Sequence, residues 1–385
     1  MTTIATITFW KYENIGDVTH ACMLRVFEKY FPDAKLLLID GEMHPQEKVD
    51  LFRREFPDVD VVSLEEAIDR GDILIHGPRS GIGFHEEIDR WRETGKPYGY
   101  FGVTVTADLS PMIERLNEAA FLFTRETASL PLLAEAGVGE LSRGEGPVAG
   151  FGPDGTLAVQ MRNETAAVEL LTTKGLEDER YVCVVPRFRY TLNHWLLKGV
   201  RGTPDDEERW AYSSQYVEPD HAKLRDVIVK WVRETGLKVL LSPELRYNPE
   251  MFGPYLYDPL PEDVKPHVEQ VETFWLPDVA ASVYARARCV ISLECHSPLI
   301  AIANGTPAFY VRQREDTIKG QMYRDLGVGD WLFEIDEVEG EQIFERLMDV
   351  HQNHERAQEQ RAAAMAYAWE RFEVVAETTR VALGL

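Results

Sequence analysis

The sequence predicts an α/β protein of two Rossmann-like domains facing each other across a cleft, followed by a helical C-terminal segment. Three observations carry that expectation. Short apolar runs alternate with amphipathic stretches from the first residues to about Gly137. The alternation starts afresh at Tyr181 and continues to about Leu326. Between the two series lies a Gly/Pro-rich and polar interval, SRGEGPVAGFGPDG to KGLEDER, which argues against one large sheet. With the junction placed near Thr172, the expected parts are an N-terminal domain over 1–172 on the acceptor side and a C-terminal domain over 173–355 on the donor side. A terminal helix over 356–385 is left to pack on the surface or back on the first domain.

The first strand is expected at Ile4–Trp10, where β-branched and small residues alternate. A loop, Asn14-Ile15-Gly16-Asp17, then enters a helix with Ala21, Leu24, Phe27 and Tyr30 near helical spacing. Asp17 is placed to cap that helix and Gly16 to permit the turn. Further strands are expected at Leu36–Asp40, Val59–Ser63, Asp72–Gly77, Tyr98–Val105 and Ala120–Arg125. A Gly-rich turn, Pro78 to Gly83, follows the fourth of these six strands. The second series opens with Tyr181–Arg187, then an irregular insertion carrying His194, Trp195, Trp210 and Tyr212. A helix over Asp220–Thr235, a strand at Lys238–Ser242 and a long Pro/Tyr-rich loop from Pro243 to Pro266 come next.

Arg288–Tyr310 is the most informative stretch. It reads as a strand at Cys289–Ser292, a tight polar turn through His296, a helix from about Ser297 to Asn304-Gly305, and a strand opened by Pro307. A strand running directly into a helix is how parallel sheets build ligand sites, because the helix start carries unpaired N–H groups and a positive dipole end. Such sites lie outside the carboxyl ends of the strands.

Composition narrows the function. The 65 acidic residues against 41 Lys and Arg give a formal charge of −24, which opposes nucleic acid and anionic membranes. The four cysteines show no metal-ligand spacing, and Cys22, Cys183 and Cys289 sit in apolar runs as core thiols. No run approaches the roughly 20 apolar residues of a membrane helix. The expectation is a cytoplasmic protein, not integral to a membrane, that handles small molecules with no metal or other cofactor, as a monomer or a homo-oligomer.

In so acidic a chain, clustered arginines are the places for an anion. Arg187 and Arg189 end the first strand of the second series, and Arg312, Arg314 and Lys319 follow a later strand. Arg79 and Ser80 in the Gly-rich turn are further candidates, as are Asn14, Gly16 and Asp17 for sugar hydroxyls. The G-x-G-x-x-G dinucleotide fingerprint is absent, as are HExxH and a Ser-His-Asp pattern.

Taken in order, these pieces resemble the polysaccharide pyruvyl transferase family. Its early N-x-G-D turn corresponds to Asn14-Ile15-Gly16-Asp17, and its R-[DE]-x-x-S to Arg125-Glu126-Thr127-Ala128-Ser129. Its I-S-x-R-x-H followed by G-x-P corresponds to Ile291-Ser292-Leu293-Glu294-Cys295-His296 and Gly305-Thr306-Pro307. A lysine ahead of an LG segment corresponds to Lys319 before Asp325-Leu326-Gly327. The resemblance implies a GT-B-like fold and transfer of a pyruvyl group from phosphoenolpyruvate, as co-substrate, to sugar hydroxyls as a ketal. It implies that His296 is the acid and that Arg187 and Lys319 hold the donor's phosphate and carboxylate; Glu294 is the second catalytic candidate, and Arg189 and Ser297 are further donor-binding candidates. Asn14, Gly16, Asp17, Arg79, Ser80 and Arg125 are then on the acceptor side.

One departure stands out: the family arginine of that motif is Glu294 here. Two like charges ~4 Å apart repel by roughly 1 kcal/mol in water and about 4 kcal/mol at an effective dielectric of ~20. Either Arg189, Arg79 or Arg314 neutralises Glu294, or the donor differs. The alternatives are a glycosyltransferase using a nucleotide sugar, whose hydroxyls suit a carboxylate, and a non-catalytic carbohydrate-binding homologue.

Overall fold

The computed structural model of the chain describes residues 1–8, 13–40, 44–105, 108–138, 147–192 and 204–385. Two compact units emerge: Met1–Tyr12, Asp17–Val159 and Ala364–Leu385 form the first, and Glu13–Gly16 with Gln160–Ala363 form the second. The change of unit falls between Val159 and Gln160, ahead of the junction expected near Thr172. Thr172 instead lies in the helix Glu164–Thr173, whose Asn163 N-cap accepts a hydrogen bond from the Ala166 N–H.

The first unit is one parallel sheet, with β1 (Thr3–Ile7), β2 (Lys35–Ile39), β3 (Asp60–Val62), β4 (Ile73–His76), β5 (Arg79–Ser80), β6 (Tyr98–Thr104), β7 (Phe121–Thr124) and β8 (Val148–Phe151). Their order is β3-β2-β1-β4-β6-β7-β8, with β5 paired to β6. Ala5, Leu37, Leu74, Tyr100 and Leu122 from five of these strands join Ile88 and Trp91 of a covering helix in a dry core. Burial on both faces is why these strands read as continuous apolar runs. β8 lies inside the Gly/Pro-rich interval that sequence reading took for a break; Gly150 and Gly152 there face the Phe123 side chain, so a bare backbone is what packs. The last helix, His354–Ala382, brings Phe372 edge-on to Phe101 at 5.8 Å and stacks Tyr367 on Phe151 at 6.1 Å.

The second unit is also parallel: β9 (Tyr181–Val185), β10 (Lys238–Leu241), β11 (Val268–Gln270), β12 (Cys289–Ser292), β13 (Ala308–Arg312) and β14 (Leu332–Glu334), ordered β11-β10-β9-β12-β13-β14. The expected long loop after β10 holds a short helix, Asn248–Met251, and one turn of wider helix, Phe252–Tyr257. Trp210 and Tyr212, read as an irregular insertion, lie on the helix Pro204–Ser213; His194 and Trp195 fall outside the described residues, as do Phe9 and Trp10.

Both sheets run outward from their first strand to one edge, then resume on its other side. In the first unit the direction changes between β1 and β4, in the second between β9 and β12. Ligands of open α/β sheets bind at such switch points, beyond the carboxyl ends of the strands. That geometry selects which side chains matter.

Candidate functional site

At the switch point of the second unit, the chain leaving β9 supplies Arg187 and the chain leaving β12 supplies Glu294. Arg187 Nε and Glu294 Oε1 approach to 3.1 Å, yet neither atom has a directed hydrogen bond. The counter-ion of Arg187 is Asp316, which accepts a short bond from its Nη1 and another from the Tyr310 hydroxyl at 2.5 Å. Lys319 Nζ stands 3.7 Å from the second Asp316 oxygen. Burial works against the Asp316 charge, but Arg187 and Lys319 outweigh it and hold the carboxyl at about 2. Glu294 is only 4% exposed. Burial pushes it up to about 8; Arg187 and Lys319 oppose that rise, and Glu244 and Asp316 add to it. The two acids beside Arg187 are therefore pushed in opposite directions, Asp316 toward the carboxylate and Glu294 toward the protonated acid.

Expected neutralisation of Glu294 by Arg189, Arg79 or Arg314 is replaced by this arrangement. Arg189 is buried elsewhere, bonded to both Asp220 oxygens (2.8 and 2.9 Å) and to Asp336, over the Tyr216 ring at 3.8 Å. Arg314 pairs with Asp336. The sequence shows these arginines but not their distant acidic partners.

The helix after β12, His296–Ala303, begins at the same edge. Its first donors are taken: Glu244, from the loop after β10, accepts from Ser297 N–H at 2.6 Å and His296 N–H at 3.4 Å. The helix start expected to offer free N–H groups to a ligand is thus capped at these two positions by a buried carboxylate of the chain itself. The same Glu244 lies 3.2 Å from His296 Nδ1. Burial disfavours the imidazolium, but the Cys295 sulfur and Glu244 outweigh it and move His296 well above the usual histidine range. The Ser297 hydroxyl accepts from Tyr284 at 3.1 Å, a packing role rather than an open one. Asn248 fixes the Glu244 loop, accepting from Glu244 N–H (2.8 Å) and Leu245 N–H (2.6 Å) while donating to Pro186 O (3.1 Å).

Asn14 and Gly16 belong to this unit. Ile15 N–H donates to Glu244 O at 3.0 Å, Arg246 N–H to Glu13 O at 2.9 Å, and Asn14 bridges Leu245. Gly16 backs directly on the His296 ring, where a Cβ would overlap Cγ and Nδ1. The glycine is there for close approach. Its φ is not positive, so the turn alone does not require it. Asn14 Oδ1 accepts from Gly16 N–H at 2.6 Å, opening the helix Ile15–Thr19; Asp17 lies within that helix instead of capping it.

In the first unit, Asp17 follows β1 and Arg79 follows β4. Burial disfavours the Arg79 charge and Asp17 supports it. His76 ends β4 and staples the Gly-rich turn, with Nδ1 3.0 Å from Gly77 O and Nε2 accepting from Gly83 N–H at 3.3 Å. Burial, with Arg79 nearby, holds it down at about 3, so it is neutral. Ser80 pairs with Thr104 in the β5–β6 ladder and is exposed. Arg125 is a core residue, bonding Thr104 Oγ1 at 2.6 Å and Asp154 at 2.7 Å. Glu126 of the same motif bonds Thr104 and Ser129, and burial pushes it up to about 7.

Sequence reading found His296, Glu294, Arg187, Lys319 and Gly16, which the fold groups in the second unit. It missed Asp316, Glu244 and Tyr310. Asp316 stood in the run Arg312 to Lys319, read for its cations alone; Glu244 follows a strand end, the signal that had singled out Arg187.

Two parallel Rossmann-like units with charged residues at their switch points are the architecture of the GT-B class. The chain belongs to the polysaccharide pyruvyl transferase family, whose model matches residues 14–314. Among solved structures it resembles UDP-GlcNAc 2-epimerase from Neisseria meningitidis bound to UDP-GlcNAc (12% identity, 98% of this chain and 99% of that one, TM-score 0.56). It also resembles Anabaena Alr3699/HepE in complex with UDP and glucose (12% identity, 99% and 98%, TM-score 0.55). A third is α,α-trehalose 6-phosphate synthase from Burkholderia multivorans (9% identity, 99% and 97%, TM-score 0.58). These likenesses bear on the fold. A comparison with curated proteins finds no match. Among the described residues, no helix is long and apolar enough to cross a membrane.

Proposed function

We propose that this protein moves a pyruvyl group from phosphoenolpyruvate to two hydroxyls of a carbohydrate, forming a cyclic ketal, with no metal or other cofactor. The observation that carries the reading is His296 at a switch point of a family member, its Nδ1 3.2 Å from the Glu244 carboxylate, where the Cys295 sulfur and Glu244 favour the imidazolium. An acid charged at neutral pH is what protonation of an enol carbon requires. His296 delivers a proton to the methylene carbon, and the first sugar hydroxyl adds to the adjacent carbon. Its proton returns the histidine to the charged form. The second hydroxyl then displaces phosphate, whose departing oxygen takes that hydroxyl's proton. Arg187 and Lys319 meet the donor's anionic groups in this reading, with Asp316 as the counter-ion the donor must share. Asn14, Gly16 against the His296 ring, and Asp17, Arg79 and Ser80 at the other switch point remain the acceptor-side candidates.

The test is phosphate release from phosphoenolpyruvate across a panel of nucleotide- and lipid-linked sugars. Turnover that His296→Ala abolishes in a folded protein supports the reading; full turnover in that variant removes His296 as the acid. A second reading, a nucleotide-sugar glycosyltransferase, is favoured by one observation: Asp316 already answers the Arg187 charge, so the site holds little free cation. Thermal stabilisation by UDP and none by phosphoenolpyruvate selects it. Sugar binding without turnover selects the non-catalytic reading.

A further inference from the structure

We infer that Glu294 serves the donor complex as a neutral carboxylic acid, donating a hydrogen bond to an anionic oxygen of the donor. This rests on the phosphoenolpyruvate reading above and adds to it the way a carboxyl group is tolerated there.

The geometry carries the inference. Three carboxyl groups, Glu244, Glu294 and Asp316, converge on one buried switch point. Glu244 is committed to two helix N–H groups and His296 Nδ1. Asp316 is committed to Arg187, Tyr310 and Lys319. Glu294 has no such bonds: its Oε1 is buried without a hydrogen-bond partner, and its 3.1 Å approach to Arg187 Nε is not directed. It is the acid with least support for a negative charge. Around it stand Arg187 after β9, Glu244 and Tyr247 after β10, and Asp316 and Lys319 after β13. Two of those neighbours are carboxylates, so an arriving multiply charged anion adds to a field that already favours the proton on Glu294. Its elevation by burial agrees.

A protonated carboxyl supplies one O–H donor, strong toward an anion in a buried site. It also makes donor binding depend on pH with a defined sign. Below the titration of Glu294 the O–H is present and affinity is constant. Above it, the donor must bring a proton with it or meet a carboxylate, and affinity falls by up to about tenfold per pH unit.

The experiment is calorimetric titration of phosphoenolpyruvate into the full-length protein and Glu294→Gln between about pH 6 and pH 10. The wild type is expected to lose affinity on the alkaline side. Glu294→Gln, whose amide keeps a donor and cannot ionise, is expected to lack the Glu294 part of that loss and to fall less steeply there. Identical pH profiles in both proteins overturn the inference and leave the phosphoenolpyruvate reading standing. Binding by neither protein overturns that reading and this inference with it. A second measurement needs no ligand: the infrared difference between wild type and Glu294→Gln at pH 7 is expected to contain a protonated-carboxyl band. An ionised-carboxylate band in its place overturns the inference by itself.

Discussion

Arg187 and Asp316, brought together from the ends of β9 and β13, form the strongest charge pair of the second unit's switch point, with the Tyr310 hydroxyl completing the carboxylate. Their partnership sets the electrostatics of everything beside them. Arg187→Met is expected to leave Asp316 buried without its main counter-ion, costing on the order of 3–5 kcal/mol in urea unfolding. The double variant Arg187→Met, Asp316→Leu should recover much of that loss while remaining inactive. A single variant as stable as wild type would mean that the pair contributes nothing to folding.

Gly16 touches the His296 ring with its backbone. Gly16→Ala is expected to push the imidazole aside, lowering kcat by about a hundredfold, the scale on which ~1 Å misplacements act. Circular dichroism should stay native. The comparison to make is kcat with and without the methyl, alongside the crystal structure of the variant.

Glu244 joins two tasks that substitution can separate. Glu244→Gln keeps one oxygen for the Ser297 N–H but removes the charge beside His296. Because the folded protein raises His296, charge removal should move its titration downward, read by NMR of ring-labelled histidine. Glu244→Ala should in addition cost about 1 kcal/mol or more through the lost cap. An unchanged His296 titration in Glu244→Gln would contradict the assigned role.

Glu126 sits in the buried network of Thr104, Arg125 and Ser129. Burial raises it to about 7 from an ordinary 4.5, so the folded state prefers the proton. Its stabilising contribution is fully present below pH 4.5 and is lost as pH rises through about 7. The span corresponds to roughly 3 kcal/mol. Glu126→Gln should flatten that part of the stability–pH curve in chemical denaturation; an unaltered slope would show that Glu126 titrates normally.

Most of the strands were legible because they are apolar runs buried on both faces, and runs of that kind survive any reasonable tertiary context; β3, with Val61 exposed, was legible from its β-branched residues alone. β5, β8, β11 and β14 escaped for the opposite reason. They are two to four residues long, and β8 carries a glycine that packs through its backbone. The helix starts were less legible: Ser63, read as the end of a strand, forms a capping box with Glu66 for the helix Leu64–Arg70, and the cap on the helix at His296 comes from Glu244 in another loop.

By itself the sequence determined two parallel α/β units, their family, and a histidine at the carboxyl edge of a strand. Periodicity and short motifs are local, and local pattern suffices for those. Tertiary structure decided which charges are free. Arg187 finds its counter-ion 129 residues away and His296 its carboxylate 52 residues away. Whether Glu294 is an anion or an acid depends on the burial those pairings create, which no neighbouring residue announces.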